Sequence, residues 1–215
     1  MNSKSAGIPA PAVRRLSLYL RQLEAFEARN CRTVSSKQLG EALHLTDAQV
    51  RKDLAYFGQF GHPGIGYRVP ELITRVRRIL GTDKVWNTLL VGAGNLGRAL
   101  VSYRGFARKG FRIVAVFDND PHKVGSHLLP DRSLTIRSIE DMPEVVAAQS
   151  IQLGIIAVPA DAAQAVADQM IASGIRGILN FAPASLRMPG NVAVSGVDLA
   201  VNLEQLSFQL GGSVS

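Results

Sequence analysis

The sequence predicts an α/β protein in two parts: a helical module with a hairpin, then a doubly wound parallel sheet that ends in a separate helix. Three observations support this. Apolar residues recur at helical spacing as far as Ile79, and short apolar runs alternate with helical stretches from Thr88 onward. The charge also divides: residues 1–84 hold 14 Lys+Arg against 7 Asp+Glu, residues 85–215 hold 10 against 10, so the net charge of +7 sits in the first part. A basic module joined to a neutral one points to a polyanionic partner; the alternative is a solvated basic face with no specific partner.

Composition sets the outer bounds. A chain of 215 residues with 47% hydrophobic and 19% charged residues can build a sizeable core and does not read as disordered. No stretch approaches the roughly 18 consecutive apolar residues of a membrane span, and Met1 to Ala12 lacks the apolar core of a signal peptide, so the expected compartment is the cytoplasm. The single cysteine, Cys31, excludes an intrachain disulfide and a cysteine-rich metal site. It reads as a packing residue, with a peroxide-reactive thiol as the alternative.

In the first part, Val13, Leu16, Leu20 and Leu23 form a one-sided helical stripe, with Arg14, Arg15, Arg21, Glu24 and Glu27 mostly on other faces. Ser35 and Gln38 have the spacing of a capping box, followed by Leu39, Ala42 and Leu43 as an inner face. Thr46 and Gln49 repeat that spacing and open a second short helix, with Val50, Leu54 and Phe57 inward and Gln49, Arg51, Lys52 and Ala55 outward. Two short helices joined at His44-Leu45 form a helix-turn-helix candidate; a plain helical hairpin with exposed charges is the alternative. Gln49, Arg51 and Lys52 lie at the end of the second helix that such proteins lower into the major groove. There Gln can match adenine, Arg guanine, and Lys a base or a phosphate. Gly58 to Tyr67 contains four glycines and Pro63, a density that marks a tight hairpin with positive φ angles. Directly after a recognition-type helix it reads as the wing of a winged helix, lying along the phosphate backbone. Pro70 then suits the first turn of a helix with Leu72, Ile73, Val76 and Ile79 inside and Arg75, Arg77 and Arg78 outside, stopped by Gly81.

In the second part, Thr88 to Val91 is a buried-strand run followed at once by Gly92-Ala93-Gly94-Asn95-Leu96-Gly97 and a helical stretch from Arg98 to Ala107. A G-x-G-x-x-G run is specific only between strand and helix, as here. Its glycines permit a tight turn, close approach to a pyrophosphate and close packing, while the helix start offers free amides to phosphate. The next strand, Phe111 to Phe117, ends at Asp118, 21 residues after Gly97, where an acid can accept from ribose hydroxyls and disfavour a 2′-phosphate; Asp120 and Lys123 weaken that contrast. Strand Leu153 to Pro159, helix Asp161 to Ala172 and strand Gly177 to Asn180 complete a Rossmann-type alternation. Ligand is expected beyond the carboxyl ends of these strands, with Val158, Pro159, Asn180 and Phe181 near the nicotinamide end. A Rossmann-like domain that binds coenzyme A, or nothing, is the alternative. The last helix starts at Asp198 and carries Leu199, Leu203, Leu206 and Leu210 in one seam, to be packed on its own sheet or on a dimer partner.

Taken together, Tyr19 to Arg21, Ala48 to Leu54, Tyr56 to Gly58, Phe60-Gly61, Gly64 to Tyr67, Val91 to Leu100, Tyr103 to Phe106, Phe117-Asp118, Ala157 to Ala160, Gly177 to Pro183 and Val197 to Leu199 resemble the Rex family of redox-sensing transcriptional repressors, from about residue 8 to residue 210. The resemblance implies a winged helix over residues 1–84, an NAD(H)-binding domain over 85–197 and a dimerisation helix over 198–215 exchanged between protomers. It further implies a homodimer on a palindromic DNA operator, released as NADH accumulates relative to NAD+. The implied DNA-binding residues are Gln49, Arg51, Lys52, Tyr56, Phe57, Gly58, His62 and Tyr67, and the implied switch residues are Arg21, Tyr103 and Asp198. Ser102 and Gln59 depart from the family pattern, which leaves details of switching and backbone contact open.

Discrimination between the two cofactor forms must come from the nicotinamide, cationic when oxidised and neutral when reduced. An apolar pocket, with Phe106, Phe181, Pro183 and Leu199 as candidates, would penalise the cation. An oxidoreductase with a basic appendage would instead need a proton donor or acceptor at that ring, and residues 128–215 contain no His and no Lys. Tyr103 is the one candidate donor, read more readily as a switch or core residue. No metal site is expected.

Overall fold

The computed structural model describes residues 8–61, 65–130 and 134–211. The chain divides into two compact units, residues 1–84 and 85–215.

The first unit contains α1 (Ala10–Ala28), β1 (Thr33–Val34), α2 (Ser36–Glu41), α3 (Asp47–Ala55), β2 (Tyr67–Arg68) and α4 (Val69–Leu80). The inner face of α1 is Ala12, Leu16, Tyr19, Leu20 and Leu23, so the stripe begins one position earlier than Val13, which is 40% exposed. Alanine is too small to mark a core position by hydropathy, and Tyr19 enters the core because its hydroxyl finds a partner there. Leu39, Val50, Leu54, Val69, Leu72, Ile73 and Val76 complete this core; Ile79 instead faces out and Leu80 packs. Ser35 and Gln38 make the reciprocal capping box that starts α2. The turn into α3 passes through His44 at φ 55°, and Gly40 allows the close approach, since a Cβ there would lie 2.6 Å from the Leu45 carbonyl. β1 and β2 pair antiparallel through Thr33–Arg68 and Val34–Tyr67. Gly66, at φ +83°, leads into β2 where a Cβ would lie 2.6 Å from the Val34 carbonyl, so the base of the hairpin requires glycine.

The second unit contains β3 (Trp86–Val91), α5 (Asn95–Ser102), α6 (Arg104–Arg108), β4 (Phe111–Asp118), β5 (Ile136–Ser138), α7 (Met142–Ala148), β6 (Leu153–Ile156), α8 (Ala160–Ala172), β7 (Gly177–Asn180), β8 (Ala193–Gly196) and α9 (Leu199–Gly211). The strands form one parallel sheet in the order β5-β4-β3-β6-β7-β8, which reverses direction at β3. Alternation along the strands builds two apolar layers. Leu89, Val91, Ala115, Phe117 and Ile156 pack with Met142, Val146, Ala163, Ala167 and Met170 of α7 and α8. Leu90, Val116, Ile136 and Ile155 face the other way, toward Leu100, Val101 and Phe106 of α5 and α6. The helical stretch expected from Arg98 to Ala107 starts earlier and breaks at Tyr103, whose extended backbone (φ −76°, ψ 100°) separates α5 from α6.

Candidate nucleotide-binding and nucleic-acid-binding sites

The reversal of strand order at β3 opens a crevice at the carboxyl ends of β3 and β6, and the glycine run lies there. Its three glycines differ. At Gly92 (φ +104°) a Cβ would lie 2.3 Å from the Ala157 carbonyl, and at Gly97 it would lie 2.0 Å from the Gly92 carbonyl, so both are required by packing. At Gly94 a Cβ would meet nothing within 4 Å. The space in front of Gly94 is open. Gly94 also caps α5, whose first intrahelical bond runs from Arg98 N to the Gly94 carbonyl, leaving the amides of Asn95, Leu96 and Gly97 as the unspent donors of a helix start.

Asp118 ends β4 beside this loop and is buried. Its Oδ2 accepts from Ala93 N (2.8 Å) and Lys123 Nζ (3.2 Å), and its Oδ1 from Asp120 N (2.9 Å). Burial alone would raise its pKa, but the Asp120 and Ala93 amides and Lys123 together hold it below the ordinary carboxylate range; the same contact raises Lys123. Asp118 thus braces the loop while staying charged, and Ala93 spends its amide on that brace. Val158 is half-buried with its Cγ1 close to the position a Gly92 Cβ would take, and Pro159 is the exposed N-cap of α8. Asn180 is buried: its Nδ2 donates to the Ala182 (3.1 Å) and Ala184 (2.9 Å) carbonyls and its Oδ1 accepts from Ala182 N (2.9 Å), so it shapes the loop after β7. Phe181 is half-buried, and Pro183 lines a depression with Asn180 and Asp198.

In the first unit, Thr46 Oγ1 accepts from Gln49 N (3.1 Å) and caps α3. The reciprocal half of the expected box is replaced, because the Gln49 side chain turns to Asp53 Oδ1 (2.7 Å). Arg51 is exposed and bonds Asp47 (2.6 Å) and Ser36 (3.2 Å), which lowers the Asp47 pKa; Lys52 is exposed. Tyr56 closes α3 and is 40% exposed. Phe57 is half-buried against the core, inward as its spacing predicts, and Tyr67 is buried, which raises its pKa. Gly58 takes φ +121° where the wing departs. Arg75 of α4 stacks on Phe60 (4.9 Å) and donates to the Gln59 carbonyl (2.8 Å), fixing that departure. His62 lies outside the described residues. The sequence reading missed the cluster under α3, in which Arg15 and Tyr19 converge on Asp53. An acid at the third position after Val50, on the inner face of the helix, was the signal that could have found it.

Of the switch candidates, Arg21 is exposed on α1, in the first unit. Tyr103, 58% exposed, meets Phe106 edge-on at 5.2 Å, and Asp198 caps α9 by accepting from Ala200 N (3.0 Å) and Val201 N (3.1 Å). α9 has no buried residue: Leu199, Leu203, Leu206, Phe208 and Leu210 are 54% to 81% exposed, so it does not pack on its own sheet. The same unit leaves an apolar groove of about 340 Å³ along Phe106, Ile113, Ile155, Leu179 and Val194. Cys31 is free and partly exposed. Among the described residues no group of metal-ligating side chains gathers, and no helix is long and apolar enough to cross a membrane.

Residues 7–55 match the family model described as a putative DNA-binding protein N-terminus, and residues 83–184 match the CoA binding domain. The chain is 48% identical over 207 residues to the redox-sensing transcriptional repressor Rex of Carboxydothermus hydrogenoformans, covering 96% of this chain and 98% of that protein. It is 41% identical to the Rex of Streptomyces avermitilis, covering 96% and 81%. Among solved structures it is similar to RSP in complex with β-NAD+ and operator DNA (TM-score 0.88, 34% identity, 97% of this chain and 99% of that one). It is also similar to RSP in complex with β-NADH (TM-score 0.85, 34% identity, 97% and 96%).

Proposed function

As a chain that belongs to the Rex family of redox-sensing transcriptional repressors, this protein is, we propose, a DNA-binding repressor that binds a palindromic operator as a homodimer and lets go when NADH replaces NAD+. The observation that carries the reading is the coexistence in one chain of an open helix start at Gly94 and, on a separate unit, a capped helix α3 that exposes Arg51 and Lys52. It is the reading of a regulator; its relatives are named as repressors.

In this reading the α5 start holds the pyrophosphate, and Asp118, kept charged by its donors, meets the adenosine ribose and disfavours a phosphate on it. That charge also argues against coenzyme A, whose adenosine bears a 3′-phosphate, although residues 83–184 match a model named for it. Phe106, Phe181, Pro183 and Leu199 supply the apolar surroundings that favour the neutral, reduced nicotinamide. Gln49, Arg51 and Lys52 meet base edges and phosphates, with the wing along the backbone. The dimer is supported by α9, whose exposed seam needs a second copy to cover it, and Arg21, Tyr103 and Asp198 link the two states. The compartment is the cytoplasm, where DNA and the NADH pool meet.

The test is fluorescence-polarisation titration of duplexes selected from a randomised palindromic pool, at one salt concentration, with NADH, NAD+ and coenzyme A added separately. Release by NADH alone is the expected outcome. Binding indifferent to NADH and NAD+ but released by coenzyme A would transfer the sensor to that ligand.

A further inference from the structure

Asp53 is fully buried, yet its carboxylate accepts four hydrogen bonds: from Arg15 Nε (2.5 Å) and Nη2 (2.8 Å), Tyr19 Oη (2.6 Å) and Gln49 Nε2 (2.7 Å). Three of these come from α1. The fourth comes from α3 itself, one turn back, at the end of the helix nearest the expected base edges. Stability is a poor reason for such a cluster, because apolar residues of similar volume often replace a buried ion pair without loss. The Gln49 bond suggests another use.

Resting on the reading of α3 as the helix that meets base edges, we propose that Asp53 is a positioning residue for sequence readout, which selects the orientation in which Gln49 presents its amide to DNA. A carboxylate can only accept, so the amide beside it must turn its nitrogen inward and its carbonyl outward. The flipped amide would set oxygen against the buried carboxylate. With one N–H spent on Asp53, Gln49 keeps Oε1 and its second N–H, the acceptor and donor that match N6 and N7 of adenine. The side chain is ordered before DNA arrives, which removes part of the ordering cost of binding. Arg15 and Tyr19 hold the carboxylate in turn, so the presentation of Gln49 is set from α1.

The experiment measures binding of the full chain, Gln49→Ala, Asp53→Asn and the double variant to a duplex selected from a randomised pool and to a panel carrying each single base-pair substitution. Asparagine matches aspartate in volume but both donates and accepts, so the Asp53→Asn variant no longer dictates the Gln49 orientation. In the unmodified protein, one A·T pair of each half-site should be preferred by about 5- to 150-fold. Gln49→Ala and Asp53→Asn should each reduce that preference to within about threefold, the double variant should go no further, and preferences at other positions should remain. A uniform loss across the panel for Asp53→Asn, as a purely structural role would give, overturns the proposal, as does full retention of the preference. If Asp53→Asn does not fold, the Gln49 side-chain amide of the unmodified protein decides by NMR. One Nε2 proton well downfield of the exposed-glutamine range supports the lock, and both within that range overturn it. An unmodified protein with no sequence preference on any duplex overturns the readout role and the DNA-binding reading together.

Discussion

At the residue scale, two acids hidden from solvent do structural work through their charge. Burial favours protonation of Asp53, but the bonds from Arg15, Tyr19 and Gln49 outweigh it and hold its pKa below the ordinary value, while Tyr19 and Arg15 are both raised. A depressed folded-state pKa contributes stability that is present above the unfolded value of about 3.9 and disappears as pH falls through the folded one. The expected outcome in urea titrations is that Tyr19→Phe costs about 2 kcal/mol at pH 7, the range of a hydrogen bond to a charged acceptor, and that the cost shrinks in acid below about pH 4. A penalty that stays constant as the pH is lowered would contradict it. Arg15 and Tyr19 were not legible as partners of Asp53, because they stand 38 and 34 positions from it. Asp118 was legible as the acid ending the second strand, since strand, glycine run and acid are local, whereas its bond to Ala93 depends on how the loop closes.

At the element scale, the glycine run holds two crowded glycines, Gly92 and Gly97, and one open one, Gly94. Gly97→Ala has no room for its methyl and should cost several kcal/mol or prevent folding, since the obstruction is backbone. Gly94→Val has room and a φ of −81°, so its melting temperature should stay within a few degrees of the unmodified protein while NADH affinity falls at least tenfold by calorimetry. Unchanged affinity would show that the open space is not the phosphate seat. Long elements with a strong period, α4 and α8 among them, were legible in the sequence. β5, α7 and β8 were not: β5 and β8 span three and four residues, β8 is exposed throughout, and α7 is only two turns long, too short to show a period. α5 and α6 read as one helix, although Gly105, at which a Cβ would lie 2.2 Å from the Tyr103 ring, stands two residues past the break at Tyr103.

At the scale of the whole molecule, the division after Lys84 coincides with the division of charge, a correspondence that counting alone made legible. What counting could not show was where α9 goes, because a leucine seam reads the same whether its cover is the chain's own sheet or another copy. Removal of residues 198–215 should convert the dimer to monomer by light scattering and lower affinity for a two-half-site duplex by at least tenfold, with the second unit still folded by circular dichroism. A truncated chain that remains dimeric would move the contact elsewhere. Pairing through α9 also bears on how sharply a gene would respond. Two independent cofactor sites need about an 81-fold rise in NADH to pass from one-tenth to nine-tenths occupancy, whereas two fully coupled ones need about ninefold. In the proposed dimer, a seam that each protomer covers only with the other's help would tie the two sites into one decision, and turn a graded metabolic signal into a comparatively abrupt one.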